Sequence, residues 1–128
     1  NSGRRQRQMC IRDSPISPLS ASIEKTKKAI ENSGLLAPIA GHVGDGNYHL
    51  MILFDGESED GLSRAKSLAS EVNEIALDFG GTVTGEHGIG SGKRSYMERE
   101  HGEAWSIMGN IKELFDPNNI MNPGKLVP

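Results

Sequence analysis

The feature that most restricts the fold is the segment Glu59 to Phe79, in which Leu62, Ala65, Leu68, Val72, Ile75 and Phe79 recur every three or four residues. Apolar side chains at that spacing form one stripe of an α-helix. Gly80-Gly81 stands where such a helix ends. The stripe must be buried against another element, and the flanking segments supply a sheet. Leu35 to Val43 reads as a strand, with Pro38 marking an edge or a bulge. Gly44-Asp45-Gly46-Asn47 reads as a turn, and Tyr48 to Phe54 as the returning strand of a hairpin. A first helix is predicted from Ser20 or Ser22 to Asn32, carrying Ile23, Ala29 and Ile30, with Gly34 after its end. Thr82-Val83-Thr84 predicts a third strand, followed by a glycine-rich loop over Gly85 to Gly92. A last helix is expected from Gly102 to Phe115, with Trp105, Met108, Ile111 and Phe115 inward, and Asp116-Pro117 stops it. This order is α+β, with helices on one face of a small antiparallel sheet. Three strands leave an open edge, which predicts completion of the sheet by residues outside this chain.

The 128 residues fit a single domain. A formal net charge of −3 excludes a strongly basic nucleic-acid binder. A lone cysteine, Cys10, excludes a disulfide framework and a cysteine-based zinc site. Residues 1–19 differ from the rest: Arg4, Arg5, Arg7 and Arg12 sit among glutamines with almost no apolar periodicity. Their composition superficially suggests a transit peptide, and the run Arg4 to Ser14 also resembles a translated sequencing adapter. They read as a disordered or non-native leader that gives no localisation, ahead of a domain over residues 20–128.

The chain's four histidines are His42, His49, His87 and His101. In Gly41-His42-Val43-Gly44-Asp45-Gly46-Asn47-Tyr48-His49, two of them flank one tight turn. If the strands pair around Val43 to Tyr48, the two imidazoles oppose each other, with Cβ atoms about 4.5–5.5 Å apart. From there both can reach one metal at about 2.0–2.1 Å. Asp45 or Asn47 can satisfy the turn or support an imidazole. The plainer alternative is a solvated polar pair, but His49 interrupts an otherwise apolar strand, with Met51 on the same face by period 2.

Glu86-His87 follows the predicted third strand. Neighbours on a strand point to opposite sides, so one can bind a metal while the other faces a substrate. Two imidazoles and a carboxylate form a common set for a divalent ion with open positions, leaving His87 for proton transfer. Against this stand an ion pair of Glu86 with Lys93 or Arg94, and a His87 bonded to backbone. The loop Gly88 to Arg94 is not a Walker A motif: His87 stands where the first glycine belongs, and Arg94 where Ser or Thr must follow the lysine. Its glycines admit a flat ligand or another chain segment, with Lys93 and Arg94 attracting an anion, or they simply form a flexible loop. His101, among Glu98, Arg99, Glu100 and Glu103, reads as a surface residue.

Gly41 to His49, Thr84-Gly85-Glu86-His87-Gly88-Ile89-Gly90, Lys93-Arg94 and Met121-Asn122-Pro123-Gly124-Lys125 together resemble the C-terminal domain of FAD-linked oxidases. Within that family the similarity is greatest to the cytochrome-type D-lactate dehydrogenases and the FAD subunit of glycolate oxidase. The D-2-hydroxyglutarate dehydrogenases are further relatives. The resemblance implies a ferredoxin-like α+β domain that caps the flavin of a vanillyl-alcohol-oxidase-type flavoenzyme. It implies a divalent metal, zinc or manganese, held by His42, His49 and Glu86, with His87 as base and Asn122 toward the FAD. Hydroxyglutarate enzymes have an asparagine where this chain has Met51, which favours a small D-2-hydroxy acid such as D-lactate or glycolate. The electron acceptor implied is a cytochrome, a quinone or an electron-transfer flavoprotein. The compartment implied is the mitochondrion or the bacterial cytoplasm, including its membrane periphery. The FAD domain and the arginine and lysine that grip the substrate carboxylate lie upstream in such enzymes, so this chain reads as a C-terminal fragment, inactive alone. The competing expectation is a small metal-binding or metal-dependent hydrolytic domain without redox chemistry.

Overall fold

A computed structural model describes the backbone of residues 5–13 and all of residues 17–127. The chain divides into two compact units, Asn1–Gly85 and Glu86–Pro128.

The first unit is built on strand β3 (Asn47–Asp55). It is central in a three-stranded antiparallel sheet of order β1-β3-β2, with β1 at Arg5–Asp13 and β2 at Ile39–Ala40. Tyr48, Leu50, Ile52 and Phe54 are buried, whereas His49, Met51 and Leu53 are half-buried. This is the period of two that a pleated strand imposes when one face is covered. Helices α1 (Leu19–Ser33) and α2 (Glu59–Asp78) provide the cover. Ala29 of α1 and Ala65, Leu68, Ala69, Val72 and Ile75 of α2 join Leu50, Ile52 and Phe54 in one core. The unit is therefore α+β, with both helices on one face of the sheet.

The helix ends follow local chemistry. The Ser58 side chain accepts a hydrogen bond from the Gly61 amide at 3.1 Å, and Glu59 and Asp60 occupy the first turn, where the helix dipole favours negative charge. Helix α1 ends at Gly34, in the left-handed conformation at φ 63°. Its buried face includes Ser22 and Thr26, whose hydroxyls lie 3.0 and 3.2 Å from the phenolic oxygen of Tyr48. Ser22 thus anchors the sheet from inside α1 and caps nothing.

Several expectations are corrected. The third strand of the sheet is Arg5–Asp13, which pairs along its length with β3, and not the expected Thr82-Val83-Thr84; residues 1–4 and 14–16 of the expected leader lie outside the described residues. Thr82-Val83-Thr84 forms no strand beyond a single bridge residue at Thr82: the Thr82 hydroxyl accepts from the Thr84 amide at 3.1 Å and meets the Thr84 hydroxyl at 2.7 Å. Such local side-chain bonds compete with ladder formation. The strand expected over Leu35 to Val43 shrinks to Ile39–Ala40 and a single bridge, Leu36 to Leu53. Proline has no N–H for a ladder, which suits Pro38 to the gap between them.

The second unit contains α3 (Arg94–His101) and α4 (Ala104–Phe115). Helix α3 was not expected, because Arg, Glu and His fill it and leave no apolar stripe. Helix α4 was expected with Ile111 and Phe115 inward, but they are 51% and 79% exposed. Met97 and Val127 are the buried apolar residues of this unit among those described.

The core at Leu68 yields a direct test. Its side chain is 1% exposed. Leu68→Ala is expected to lower the unfolding free energy by about 2–5 kcal/mol, the usual cost of emptying a buried leucine site, as read by urea denaturation.

Candidate metal and proton-transfer site

His42 and His49 are brought together by the hairpin, though not as direct cross-strand partners. Ala40 is the residue opposite His49. His42 lies beyond β2, where a 3-10 turn, Val43–Asp45, begins. The His42 carbonyl accepts from the Asp45 amide at 2.8 Å and the Asn47 amide at 3.2 Å, which folds the chain back on itself. The two rings meet edge to face, with centroids 6.0 Å apart and planes at 86°. His42 is exposed and His49 half-buried. His49 Nδ1 is buried and finds no hydrogen-bond partner among the described residues. A buried ring nitrogen without a partner carries a desolvation cost that a ligated cation would relieve. Two imidazoles also suit zinc or manganese as donors. On both counts this pair fits a divalent ion.

Glu86 and His87 lie in a 3-10 turn, Gly85–His87, not at the end of a strand. Their side chains therefore converge instead of diverging: His87 Nε2 is 3.8 Å from Glu86 Oε1, and both are more than half exposed. His42 and His49 belong to the first unit, and Glu86 and His87 to the second. Within either unit, among the described residues, no group of three or more His, Cys, Asp or Glu side chains is placed to hold a metal ion. His101 is half-buried, with Nε2 3.5 Å from Glu100 Oε1.

Asn122 sits in a strained loop at φ 51°, as do Asn119 at 48° and Leu126 at 67°. Asparagine tolerates this region better than most residues; leucine does not. The loop borders a cavity of about 420 Å³ whose lining includes Gly90, Phe115, Met121, Asn122, Lys125 and Leu126. The Leu126 amide donates to Gly90 O at 2.9 Å, tying this loop to the glycine-rich loop, and Arg94 Nη1 at the start of α3 donates to Gly124 O at 3.0 Å.

The residue that sequence reasoning missed here is Asp116, read only as a helix stop. Its buried carboxylate accepts from the Ile120 amide at 3.0 Å and the Met121 amide at 2.9 Å, and it pairs with Lys112. The Lys112 hydrogen bond holds this carboxyl below its ordinary 3.8, helped by the two amides and opposed by burial. An aspartate at a helix end with a proline behind it and asparagines beyond was the available signal.

A depressed folded-state pKa contributes stability that is fully present above the unfolded value and is lost as pH falls through the folded one. The Ile120 and Met121 amide resonances are therefore expected to hold steady from neutral pH down to about 4, then shift together as Asp116 protonates below 3.8. Asp116→Asn should give the shifted positions at neutral pH, read by ¹H–¹⁵N NMR.

Comparison with known proteins identifies the family of the chain. Residues 11–126 match the family model for FAD linked oxidases, C-terminal domain. The chain is 47% identical over 115 residues to a mitochondrial cytochrome-type D-lactate dehydrogenase of Arabidopsis thaliana, covering 89% of this chain and 20% of that protein. It is 44% identical over 114 residues to a probable mitochondrial D-lactate dehydrogenase of Danio rerio, covering 88% and 23%. It is 42% identical over 87 residues to the glycolate oxidase subunit GlcD of Bacillus subtilis, covering 67% and 18%. The chain thus spans about a fifth of the length of these relatives. With 116 of its residues inside the family match and these motifs in order, the chain belongs to the FAD-linked oxidase C-terminal domain family.

Proposed function

We propose that this chain forms the substrate-side domain of an FAD-dependent dehydrogenase that oxidises a small D-2-hydroxy acid, D-lactate or glycolate in class, to the 2-oxo acid. The observation that supports this most is the His42–His49 pair, with its buried unpartnered nitrogen, in a member of this family. In this reading His42 and His49, joined by Glu86, hold zinc or manganese, and Asn122 faces the flavin from the cavity bordered by Phe115, Met121 and Leu126. When bound, the ion supplies Lewis-acid polarisation of the substrate hydroxyl, and the flavin supplies the hydride acceptor.

The protein's own groups then have distinct tasks. His87 takes the hydroxyl proton on a ring nitrogen, as a general base whose imidazole is more than half exposed. Glu86 Oε1 lies 3.8 Å from His87 Nε2, beside the ring that takes the proton. His49, Met51 and Leu53 share the sheet face opposite the helices. An apolar neighbour such as Met51 offers nothing to a second carboxylate, which favours a small monocarboxylic substrate. The ferredoxin-like cap architecture belongs to the same proposal: the helix-free face would turn toward a flavin domain in a longer chain. The acceptor would be a cytochrome, a quinone or an electron-transfer flavoprotein. The names of the relatives favour a mitochondrial or bacterial setting.

Three measurements test this. Calorimetric titration with Zn²⁺ or Mn²⁺ is expected to show binding by the wild type and a large loss in His49→Ala; equal affinities would remove His49 from the site. In a full-length enzyme carrying this domain, His87→Asn is expected to lower kcat by about 10²–10⁴-fold, the range for loss of a general base. The 128-residue chain alone is expected to give no D-lactate turnover with a dye acceptor, and hydrolysis without flavin would favour the non-redox reading.

A further inference from the structure

We infer that Gly41 and Tyr48 are positioning residues of the imidazole pair, setting the His42 ring against the His49 ring; the metal readout below rests on the ligand role proposed above. The first observation is a backbone contact. A Cβ at Gly41 would lie 2.5 Å from Tyr48 Cα and 2.6 Å from Asn47 O. Both are main-chain atoms of β3, so neither can move aside as a flexible side chain would. Gly41 also has φ 154°, where a side chain is strained. Any residue other than glycine at 41 must push the first arm of the hairpin off the second. His42 rides on that arm, and His49 follows Tyr48 directly.

The second observation fixes the other side of the contact. Tyr48 is fully buried, and its phenolic oxygen lies 3.0 Å from Ser22 Oγ and 3.2 Å from Thr26 Oγ1 on α1. Hydroxyls at helix positions i and i+4 lie on one face, so they grip the phenol together. A buried phenol needs a partner, and these two hydroxyls are available to it. The start of β3 is thereby pinned to α1, and Gly41 closes against that pinned segment. Gly44, three residues on in the same turn, is different: a Cβ there would meet nothing within 4 Å. Glycine is therefore a steric requirement at 41 and not at 44.

The test uses the 128-residue chain, with Co²⁺ as probe by d–d absorption and calorimetry, and the His42–His49 ring-to-ring NOE as a metal-free readout. The wild type is expected to show that NOE and one between the Gly41 and Tyr48 α-protons. Gly41→Ala should lose the ring-to-ring NOE and bind Co²⁺ roughly 10- to 100-fold more weakly, the usual range for losing a residue that orients a ligand. Gly44→Ala should match the wild type in both. Tyr48→Phe keeps the ring and removes the hydroxyl, so it decides the matter if Gly41→Ala loses its far-UV dichroism; it should weaken the NOE and the affinity together. A folded Gly41→Ala or Tyr48→Phe that retains both would overturn the inference, as would absence of the α-proton NOE in the wild type. If the wild type binds no Co²⁺, the metal reading falls, and the ring-to-ring NOE in the variants alone judges the positioning.

Discussion

Everything in the first unit depends on how β3 divides its side chains. Tyr48, Leu50, Ile52 and Phe54 go under the two helices, and His49, Met51 and Leu53 go to the other face. A strand with side-chain period 2 cannot slip by one residue without moving a leucine into water and a histidine into the core. Burial of the even set, at roughly 1.5–3 kcal/mol for a fully buried large apolar side chain, therefore fixes where the imidazole of His49 stands. The same packing explains why a histidine is tolerated in a run of apolar residues. It lies on the side that the helices leave half-open, and its Nδ1 bears the desolvation cost of that position. A nitrogen left in that condition adds to stability only when something binds it, which links the packing of this unit to its chemistry.

The second unit is held together differently. Besides Asp116, the residues buried there among those described are Met97 and Val127, and so few apolar side chains make a small core. Its loops are instead fastened by polar contacts. Asp116 gathers the amides of Ile120 and Met121, Arg94 holds the carbonyl of Gly124, and the Leu126 amide reaches Gly90 O. Each is a charge-assisted or backbone bond that fixes direction as well as distance. Such fastening suits loops that carry functional groups, because it sets main-chain geometry without filling the space beside it. The cavity next to Asn122 stays open for that reason.

The legible part of this fold is the part set by periodicity. Helix α2 was visible because its apolar residues repeat with the helical period, and the chain's own glycines ended it. Strand β3 was legible as an apolar run broken only by His49, whereas its division into a covered and a half-open face depends on the helices that pack on one side. What could not be read depended on partners. Thr82-Val83-Thr84 has strand propensity, but propensity is decided by neighbours, and the two threonines bond each other. Ser22 and Thr26 resemble surface positions until Tyr48 is known to lie beneath them. Asp116 looked like a stop signal because its amide partners lie four and five residues ahead, in a segment without pattern. In the candidate site, the closeness of His42 and His49 was legible from the glycine turn. Its route was not: direct opposition would need two-residue hairpin geometry, and the 3-10 turn Val43–Asp45 carries His42 past β2.

A domain of this kind needs little catalytic equipment of its own. When a flavin carries the electrons, the protein's share is to orient a substrate, polarise one bond and move one proton. In the proposed reading, two imidazoles on a hairpin and a carboxylate beside a third imidazole on a turn would supply that share, given rigid backbones. The rigidity has separate sources on the two sides: close main-chain packing at Gly41 for the hairpin, and polar fastening for the loops of the second unit. Apolar substitutions under β3 should therefore act on the hairpin through the core, while changes to Arg94 or Asp116 should act on the loops that follow His87. The two groups of residues answer to different forces, dispersion and steric contact in one case and electrostatics in the other. Salt and pH should consequently disturb the second set well before they disturb the first.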